Sequence, residues 1–225
     1  MKIALILFVG ALSVAAVTNA DLISARDKQD LPALERTINS LQSQQSLPEE
    51  QYRLALAYSY AAEVAMELKD KAKSQGYAEK GYAVAQKAVS SNGGNAEYHR
   101  LLGQLCGQVI PANPLMGTLK YGPCARDEIN KAIDLNSKLA LAYVSRGVGN
   151  YYLPSSFGGG VDAAVKDFDK AIALDPKLAD GYLWKGVALR KANRPNEART
   201  AFETAIQLNP NRVWAKQELS KLPAH

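Results

Sequence analysis

Histidine is scarce in this sequence of 225 residues, and so are motifs for catalysis. The two histidines, His99 and the C-terminal His225, are too far apart in the chain to suggest a zinc cluster or a catalytic triad. The Gly-x-Ser-x-Gly and Ser-x-x-Lys motifs of hydrolases are also missing. These absences predict a protein that is not an enzyme and that uses no cofactor or metal. His99 is expected to be a packing residue of its helix.

Long runs of one charge are missing as well. Lysine and arginine number 27 against 22 aspartates and glutamates, which gives a net charge of +5, but no five of the basic residues are consecutive. No zinc-finger or other nucleic-acid motif is present, so a solvated surface is favoured over a nucleic-acid partner. Hydrophobic residues make up 47% of the chain, which is enough for a real core.

The N-terminal stretch, residues 1–20, has the pattern of a secretory signal peptide. Lys2 gives a positive start, residues 3–17 are largely apolar, and small residues at Thr18 and Ala20 allow cleavage before Asp21. The apolar run is short for a spanning helix, and no cysteine at the cleavage point could carry a lipid. We expect export, to the bacterial periplasm or outside the cell, with no stable membrane anchor; a retained signal anchor is the alternative.

An internal repeat dominates the C-terminal part of the chain, over residues 139–212. Residues recur at an offset of 34: Ala164, Phe168, Ala171, Leu174 and Pro176 match Ala198, Phe202, Ala205, Leu208 and Pro210. Ala198, Phe202 and Ala205 lie on one helical face, where alanine allows close packing and the phenylalanine fills the groove. Gly186, on the preceding helix, is the expected point of closest approach. Each unit is a helix hairpin that must stack on copies of itself.

A repeat of this length and spacing resembles the tetratricopeptide repeat (TPR). The resemblance implies an all-α protein, a right-handed α-solenoid of about 9–10 helices in stacked TPR-like hairpins. Residues 21–225 would form one domain after the signal peptide at 1–20. Its parts are a capping helix region at 21–47, repeats at 48–94, 95–138, 139–178 and 179–212, and a C-terminal capping helix at 213–225.

Two hairpins carry extra residues between their first and second helices. These are "QVIPANPLMGTLKYGP", after Gly103, and "YYLPSSFGGG", after Gly147. The first is expected to be an ordered, partly buried loop, and the two insertions should be neighbours on one edge of the array. Three glycines before a helix allow the second loop to fold back, or alternatively offer N–H groups to an anion. The candidate residues of this loop edge are Tyr121, Phe157, Gly158 and Gly159.

The two cysteines, Cys106 and Cys124, flank the first insertion, near the end of one helix and at the start of its partner. In a helix hairpin these two ends face each other. An even number of cysteines in an exported chain favours a disulfide over two buried thiols. Such a bond would stabilise the fold by about 3 kcal/mol in the chain-entropy account.

TPR geometry, carried over by resemblance, places the first helix of each hairpin on the concave face. That face is expected to bind a protein or an extended peptide through aromatic and cationic side chains. The candidates are Tyr58, Arg100, Gln104, Tyr151, Tyr152, Trp184, Arg190 and Lys191. Some of the tyrosines could instead pack between helices. The clamp with which some TPR domains hold chaperone C-termini is missing, because its positions hold Leu54, Arg100, Val144 and Leu183.

Long early helices and the text "LPSSFGGG…A…DFDKAIALDP" are similar to bacterial periplasmic TPR proteins of the TRAP-transporter-associated type, over residues 52–210. This resemblance implies a second hypothesis, a small-molecule ligand bound near the two insertions and serving solute transport. The chain departs from that family in lacking a lipid-anchor cysteine. Insertions that fold over the groove would favour the small ligand, whereas insertions outside it would favour a peptide.

Overall fold

The computed structural model describes residues 17–112 and 114–223, so most of the predicted signal peptide lies outside the described residues. The described chain is all-α, with no strand, and it confirms the predicted solenoid. Its eleven helices are α1 Asn19–Asp27, α2 Leu31–Leu41, α3 Pro48–Glu67, α4 Lys71–Ser91, α5 Ala96–Val109, α6 Pro114–Leu135, α7 Ala140–Tyr152, α8 Val161–Leu174, α9 Ala179–Lys191, α10 Pro195–Leu208 and α11 Val213–Ser220. Within these residues no helix is long and apolar enough to cross a membrane.

The helix count exceeds the expected 9–10 because the N-terminal region forms a complete hairpin, α1 and α2. Thr18 and Asp21 cap α1 through reciprocal hydrogen bonds, and this capped turn includes the predicted cleavage point. Asp30 caps α2 by accepting a hydrogen bond from the Ala33 N–H at 2.9 Å. The solenoid therefore begins with a hairpin and ends with the single helix α11.

One type of turn closes the three hairpins that lack an insertion. Gln29, Lys69 and Asn193 have left-handed backbones, with φ of 54°, 66° and 56°. In each hairpin the left-handed residue and the residue after it donate to carbonyls of the ending helix, as in a Schellman motif. These bonds satisfy the last carbonyl groups of the helix while the chain reverses.

The first insertion is helical, so the prediction of a loop there is wrong. Helix α5 runs on to Val109, a 3₁₀ turn covers Ile110–Ala112, and α6 begins at Pro114, where a proline is tolerated. Gly117 makes the tight reversal possible, since a Cβ on it would lie 2.8 Å from the Ile110 carbonyl oxygen. Cys124 and Tyr121 consequently lie inside α6, not at a loop edge.

The second insertion is a loop that folds back on itself. A Cβ on Gly159 would lie only 2.4 Å from the Leu153 carbonyl oxygen, so the backbones touch there. The three glycine N–H groups all donate within the loop, to the carbonyl oxygens of Ser155, Pro154 and Asn150. Of the two alternatives, folding back is therefore confirmed, and the N–H groups do not form an open anion cradle.

Glycine and phenylalanine together set the spacing between the two helices of each C-terminal hairpin. Phe168 and Phe202 are fully buried. A Cβ added to Gly147 would lie 2.5 Å from Phe168 Cε1, and one on Gly186 would lie 2.6 Å from Phe202 Cε1. This confirms the predicted role of Gly186 and gives the 34-residue repeat its physical basis.

Gly147→Ala is expected to lower the free energy of unfolding by about 1–3 kcal/mol, because the new methyl group would overlap the Phe168 ring. Gly149→Ala is the matched control, two residues away in α7 with nothing within 4 Å of the added Cβ. It should instead raise stability, by up to about 1 kcal/mol. Urea unfolding followed by circular dichroism measures both, and equal effects would contradict the close packing.

Candidate functional site

The structure brings together five of the eight residues predicted for the concave face. Tyr151 and Tyr152 end α7, whereas Trp184 lies in the middle of α9, and Arg190 and Lys191 lie at its C-terminal end. The ring centroid of Tyr151 is 4.9 Å from that of Tyr152 and 6.2 Å from that of Trp184, with both pairs edge to face. The Lys191 ammonium lies 4.3 Å from the Tyr151 centroid and donates to the Tyr151 carbonyl oxygen at 2.9 Å. This group is an aromatic surface with a cation at its rim.

Helix α11 adds two side chains that were not predicted for this surface. The Trp214 ring centroid lies 5.0 Å from that of Trp184. Glu218, which is buried, accepts hydrogen bonds from Trp214 Nε1 at 3.1 Å and from Arg190 Nη2 at 2.7 Å. Trp214 belongs to the helix that was predicted only as the C-terminal cap, and its aromatic side chain was the one signal in the sequence for this role. We call Tyr151, Tyr152, Trp184 and Trp214 the aromatic edge.

Tyr152 is the exposed member of the aromatic edge, with 67% of its surface accessible. Phe157, on the loop that follows α7, is 75% exposed. Burial raises the pKa of the half-buried Tyr151, so this phenol stays neutral at physiological pH. The aromatic edge therefore presents neutral aromatic rings to solvent, next to the exposed Lys191.

The other three predicted residues lie apart from the aromatic edge and bond within the chain. Tyr58 is buried and its hydroxyl accepts a hydrogen bond from Gln42 at 2.9 Å. Arg100 is 4% exposed and donates to Glu97 and to Gln104, each at 2.6 Å. In this arrangement their polar groups already have partners, so they are not offered to a second molecule.

The two ends of the solenoid contact each other, which the sequence did not lead us to expect. Arg26 of α1 donates to Asp180 of α9 at 2.8 Å. Asn209, which follows α10, donates to Asp27 of α1 at 2.7 Å. These residues are more than 150 positions apart, and their hydrogen bonds close the arc of helices. We call the charged group at this junction the end cluster; it comprises Arg26, Asp27, Glu63, Glu67, Asp180 and Arg212.

Arg212 is the centre of the end cluster and is 1% exposed. It donates to Glu63 at 2.6 Å and to Glu67 at 3.1 Å, both on α3. Burial raises the pKa of Glu63 to about 7, although two guanidinium groups nearby act in the opposite direction. Beside this cluster the amides of Gln29 and Gln217 exchange hydrogen bonds of 3.1 Å.

The predicted disulfide is confirmed. Cys106 of α5 is bonded to Cys124 of α6, with 6.1 Å between their Cα atoms. Since both cysteines lie within helices, the bond joins the two long helices side by side and does not close a loop base. Tyr121, near this bond, packs edge to face on Tyr82 of α4 at 5.4 Å.

His99 has the structural role that was predicted for it. It is buried, its Nδ1 lies 2.5 Å from Glu128 Oε2, and its Nε2 lies 3.0 Å from the Gly93 carbonyl oxygen. Both ring nitrogens are thus held by neighbours in the chain. Within residues 17–112 and 114–223 no group of histidine, cysteine, aspartate or glutamate is placed to hold a metal ion.

Two open depressions on the surface of the described chain have volumes of about 510 and 260 Å³. The larger lies between the connections before α5 and before α7, and the smaller lies among α2, α3 and α4. Neither is lined by a residue of the two insertions. The small-ligand hypothesis therefore gains no support from their position.

Two family models match the sequence. The model described as "Regulator of microtubule dynamics protein 1-3" matches residues 16–153, and a tetratricopeptide repeat model matches residues 179–212. No curated protein sequence matches the chain significantly. The resemblance to TRAP-transporter-associated proteins stays a prediction.

Solved structures of other proteins share the fold. A thermophilic TPR protein of Thermus thermophilus has a TM-score of 0.58 at 16% identity, covering 88% of this chain and 94% of its own. The HusA haemophore of Porphyromonas gingivalis has a TM-score of 0.54 at 16% identity, covering 86% and 94%. The pilF protein of Pseudomonas aeruginosa has a TM-score of 0.50 at 18% identity, covering 77% and 68%.

At this level of identity the structural likeness shows the fold alone. The family model is more specific, because its match covers more than half of the 225 residues. The chain is a TPR-like scaffold, and it belongs to the family of regulator of microtubule dynamics proteins 1-3.

Proposed function

We propose that this protein is a non-catalytic scaffold that binds an extended segment of a partner protein at its aromatic edge. The observation that carries the proposal is the exposure of Tyr152, whose ring packs on the fixed ring of Tyr151. Aromatic side chains supply a large contact area at a small cost in conformational entropy, and they are enriched at binding hot spots. TPR proteins are typically interaction scaffolds, which agrees with this role.

The charges around the aromatic edge define the kind of partner. Lys191 is exposed at its rim, whereas Glu218 is buried and already paired with Arg190. The accessible charge next to the rings is therefore positive. A segment that combines apolar or proline side chains with acidic residues fits this surface, since the former stack on the rings and the latter pair with the ammonium group.

The family description is compatible with a scaffold that acts through a protein partner, and we infer no more from it. Export, to the periplasm or outside the cell, stays a proposal that rests on residues 1–20. Because the side chains predicted at Tyr58, Arg100 and Gln104 bond internally, we place the partner at the C-terminal part of the inner face.

A selection of random peptides displayed on phage tests the binding site without a known partner. Peptides enriched on the wild type should contain acidic residues beside aromatic, aliphatic or proline residues. Tyr152→Ser and Lys191→Ser should each weaken their binding at least tenfold, about 1.4 kcal/mol, in titrations of the synthetic peptides.

Leu119→Ser is the matched control, because Leu119 is also an exposed apolar residue but lies on α6, outside the aromatic edge. It should leave the dissociation constants unchanged. Peptides that bind the Tyr152→Ser variant as tightly as the wild type would show that the partner site is elsewhere.

A further inference from the structure

The end cluster is unusual for a solenoid. In a stacked repeat protein each unit contacts its immediate neighbours, so the first and last units need not meet. Here α1, the turn after it and α3 share hydrogen bonds with α9, with the α10–α11 connection and with α11. The stacking of neighbouring hairpins does not account for these bonds, so they call for an explanation of their own.

The junction between the two ends is polar. The buried apolar residues of α1, α2, α3, α4 and α5 form one cluster, and those of α9, α10 and α11 form a separate one. The bonds that join the ends are between side chains of charged or amide residues. The two ends can therefore separate while both apolar cores remain covered, which an apolar junction would not allow.

Carboxylates outnumber guanidinium groups in the end cluster. Four acidic residues lie there with two arginines, and the third nearby arginine, Arg100 of α5, is hydrogen-bonded to Glu97. The groups that interact with Glu63 are Tyr60 and Glu67 of α3, Arg26 of α1, Asp180 of α9, and Arg212 before α11. Asp27 lies beside Arg212 and Arg26, and Arg100 of α5 acts on Tyr60 and Asp180. A buried surplus of negative charge favours a proton on one of the carboxyl groups.

Glu63 is the carboxyl group that takes this proton. Burial raises its pKa to about 7 from an ordinary 4.5. Burial acts in the same direction on Asp180, but Arg26 and Arg212 outweigh it and lower the pKa of that carboxyl group. Burial also raises the pKa of Tyr60 to about 12, so this phenol does not titrate near neutrality.

From this arrangement we infer that the end cluster is a proton-controlled latch. With Glu63 protonated it holds α1 and α3 against the C-terminal repeat, and with Glu63 ionised it releases them. The direction of the pH dependence follows from the linkage between proton binding and closure. The closed form keeps a proton on Glu63 that the open form, with its solvated carboxyl group, has lost at the same pH. Raising the pH therefore favours the open form, and the ratio of closed to open molecules should fall about tenfold between pH 6 and pH 8.

Pulsed dipolar spectroscopy with two spin labels tests the latch directly. Lys28→Cys and Lys216→Cys place the labels at exposed positions beside Gln29 and Gln217, whose amides are in contact. The native disulfide is left intact by working without reductant. We expect one short distance at pH 6 and a second, longer distance at pH 8. Circular dichroism at both pH values verifies that the helices remain folded.

Two variants assign the effect to one residue. Glu63→Gln should keep the short distance at both pH values, because an amide mimics the protonated carboxyl group. Glu203→Gln, at an exposed position on α10, should respond to pH as the wild type does. A single short distance at pH 8 in the wild type, or an unchanged pH response in Glu63→Gln, would overturn the proposal. The readout needs no partner, so it is independent of the function proposed above.

Discussion

Arg212→Met is expected to lower the free energy of unfolding by about 3–5 kcal/mol, the range found when one member of a buried ion pair is removed. Arg212 is almost fully buried and donates to both Glu63 and Glu67. Asp27 is a third carboxylate nearby, with its Oδ1 3.7 Å from Arg212 Nε. Methionine fills a similar volume but leaves the carboxyl groups that Arg212 contacts without their guanidinium partner. Urea unfolding at pH 6, where the two ends are held together, followed by circular dichroism, measures the loss.

Arg194→Met is the control for this substitution. Arg194 also forms a bidentate pair with a glutamate, Glu197, but at the surface. Its removal should leave the urea midpoint nearly unchanged, because solvent screens an exposed pair. If Arg212→Met had no larger effect than Arg194→Met, the end cluster would contribute nothing to stability.

A double-mutant cycle separates two contributions to the loss of stability: the missing ion pair, and the cost of leaving its carboxylates unpaired. In a Glu63→Gln, Glu67→Gln background, Arg212→Met should cost much less, since the remaining groups are neutral amides. Replacing every member of a buried ionic group often costs little, whereas removing one member costs much. Equal losses in both backgrounds would mean that Arg212 acts through packing alone.

The repeat architecture could be predicted because its determinants are close together in the sequence. Gly186, Phe202 and Pro210 lie within one 34-residue unit, and each acts on its own hairpin. The disulfide could be predicted for a related reason. Cys106 and Cys124 lie on two helices of one hairpin, so a short separation in the chain also means a short distance in space.

The first insertion shows where local signals mislead. Its prolines and glycines indicated a loop, yet one proline begins α6, another lies inside it, and Gly117 packs against the preceding turn. Proline is compatible with the first turn of a helix, and glycine with close packing between helices. The sequence indicates correctly that these prolines and glycines restrict or free the backbone. It does not show where they lie relative to the helix ends, which decides whether they break a helix or begin one.

The end cluster was beyond prediction from the sequence. Its members are brought together by the curvature of the whole array, which sums small rotations between five hairpins. No spacing in the sequence relates Arg26 to Asp180 or Arg212 to Glu63. Arg100 and Gln104, expected on an open concave face, instead bond to each other within α5, and Gln104 also bonds to Ser59 of the adjacent α3.

Phe202→Ala is expected to lower the free energy of unfolding by about 3–5 kcal/mol, through lost burial and the cavity left behind. The ring is fully buried, and it packs against Gly186, which cannot fill the space. In a repeat protein the loss should be local, since each unit is stabilised by its own core and its neighbours. Hydrogen exchange should accelerate most in α9, α10 and α11, and least in α4.

This local loss has a consequence at the other end of the molecule. Arg212 is positioned by the chain between α10 and α11, so a loosened C-terminal hairpin weakens its bonds to Glu63 and Glu67 as well. Exchange in α1, which meets the C-terminal unit through Arg26, should therefore rise more than exchange in α4, which lacks such a bond.

Phe157→Ala, at a side chain that is 75% exposed, is the control and should change stability by less than about 0.5 kcal/mol. A uniform rise in exchange along the whole chain would instead mean that the solenoid unfolds as one unit, with the end cluster making no separate link between its two ends.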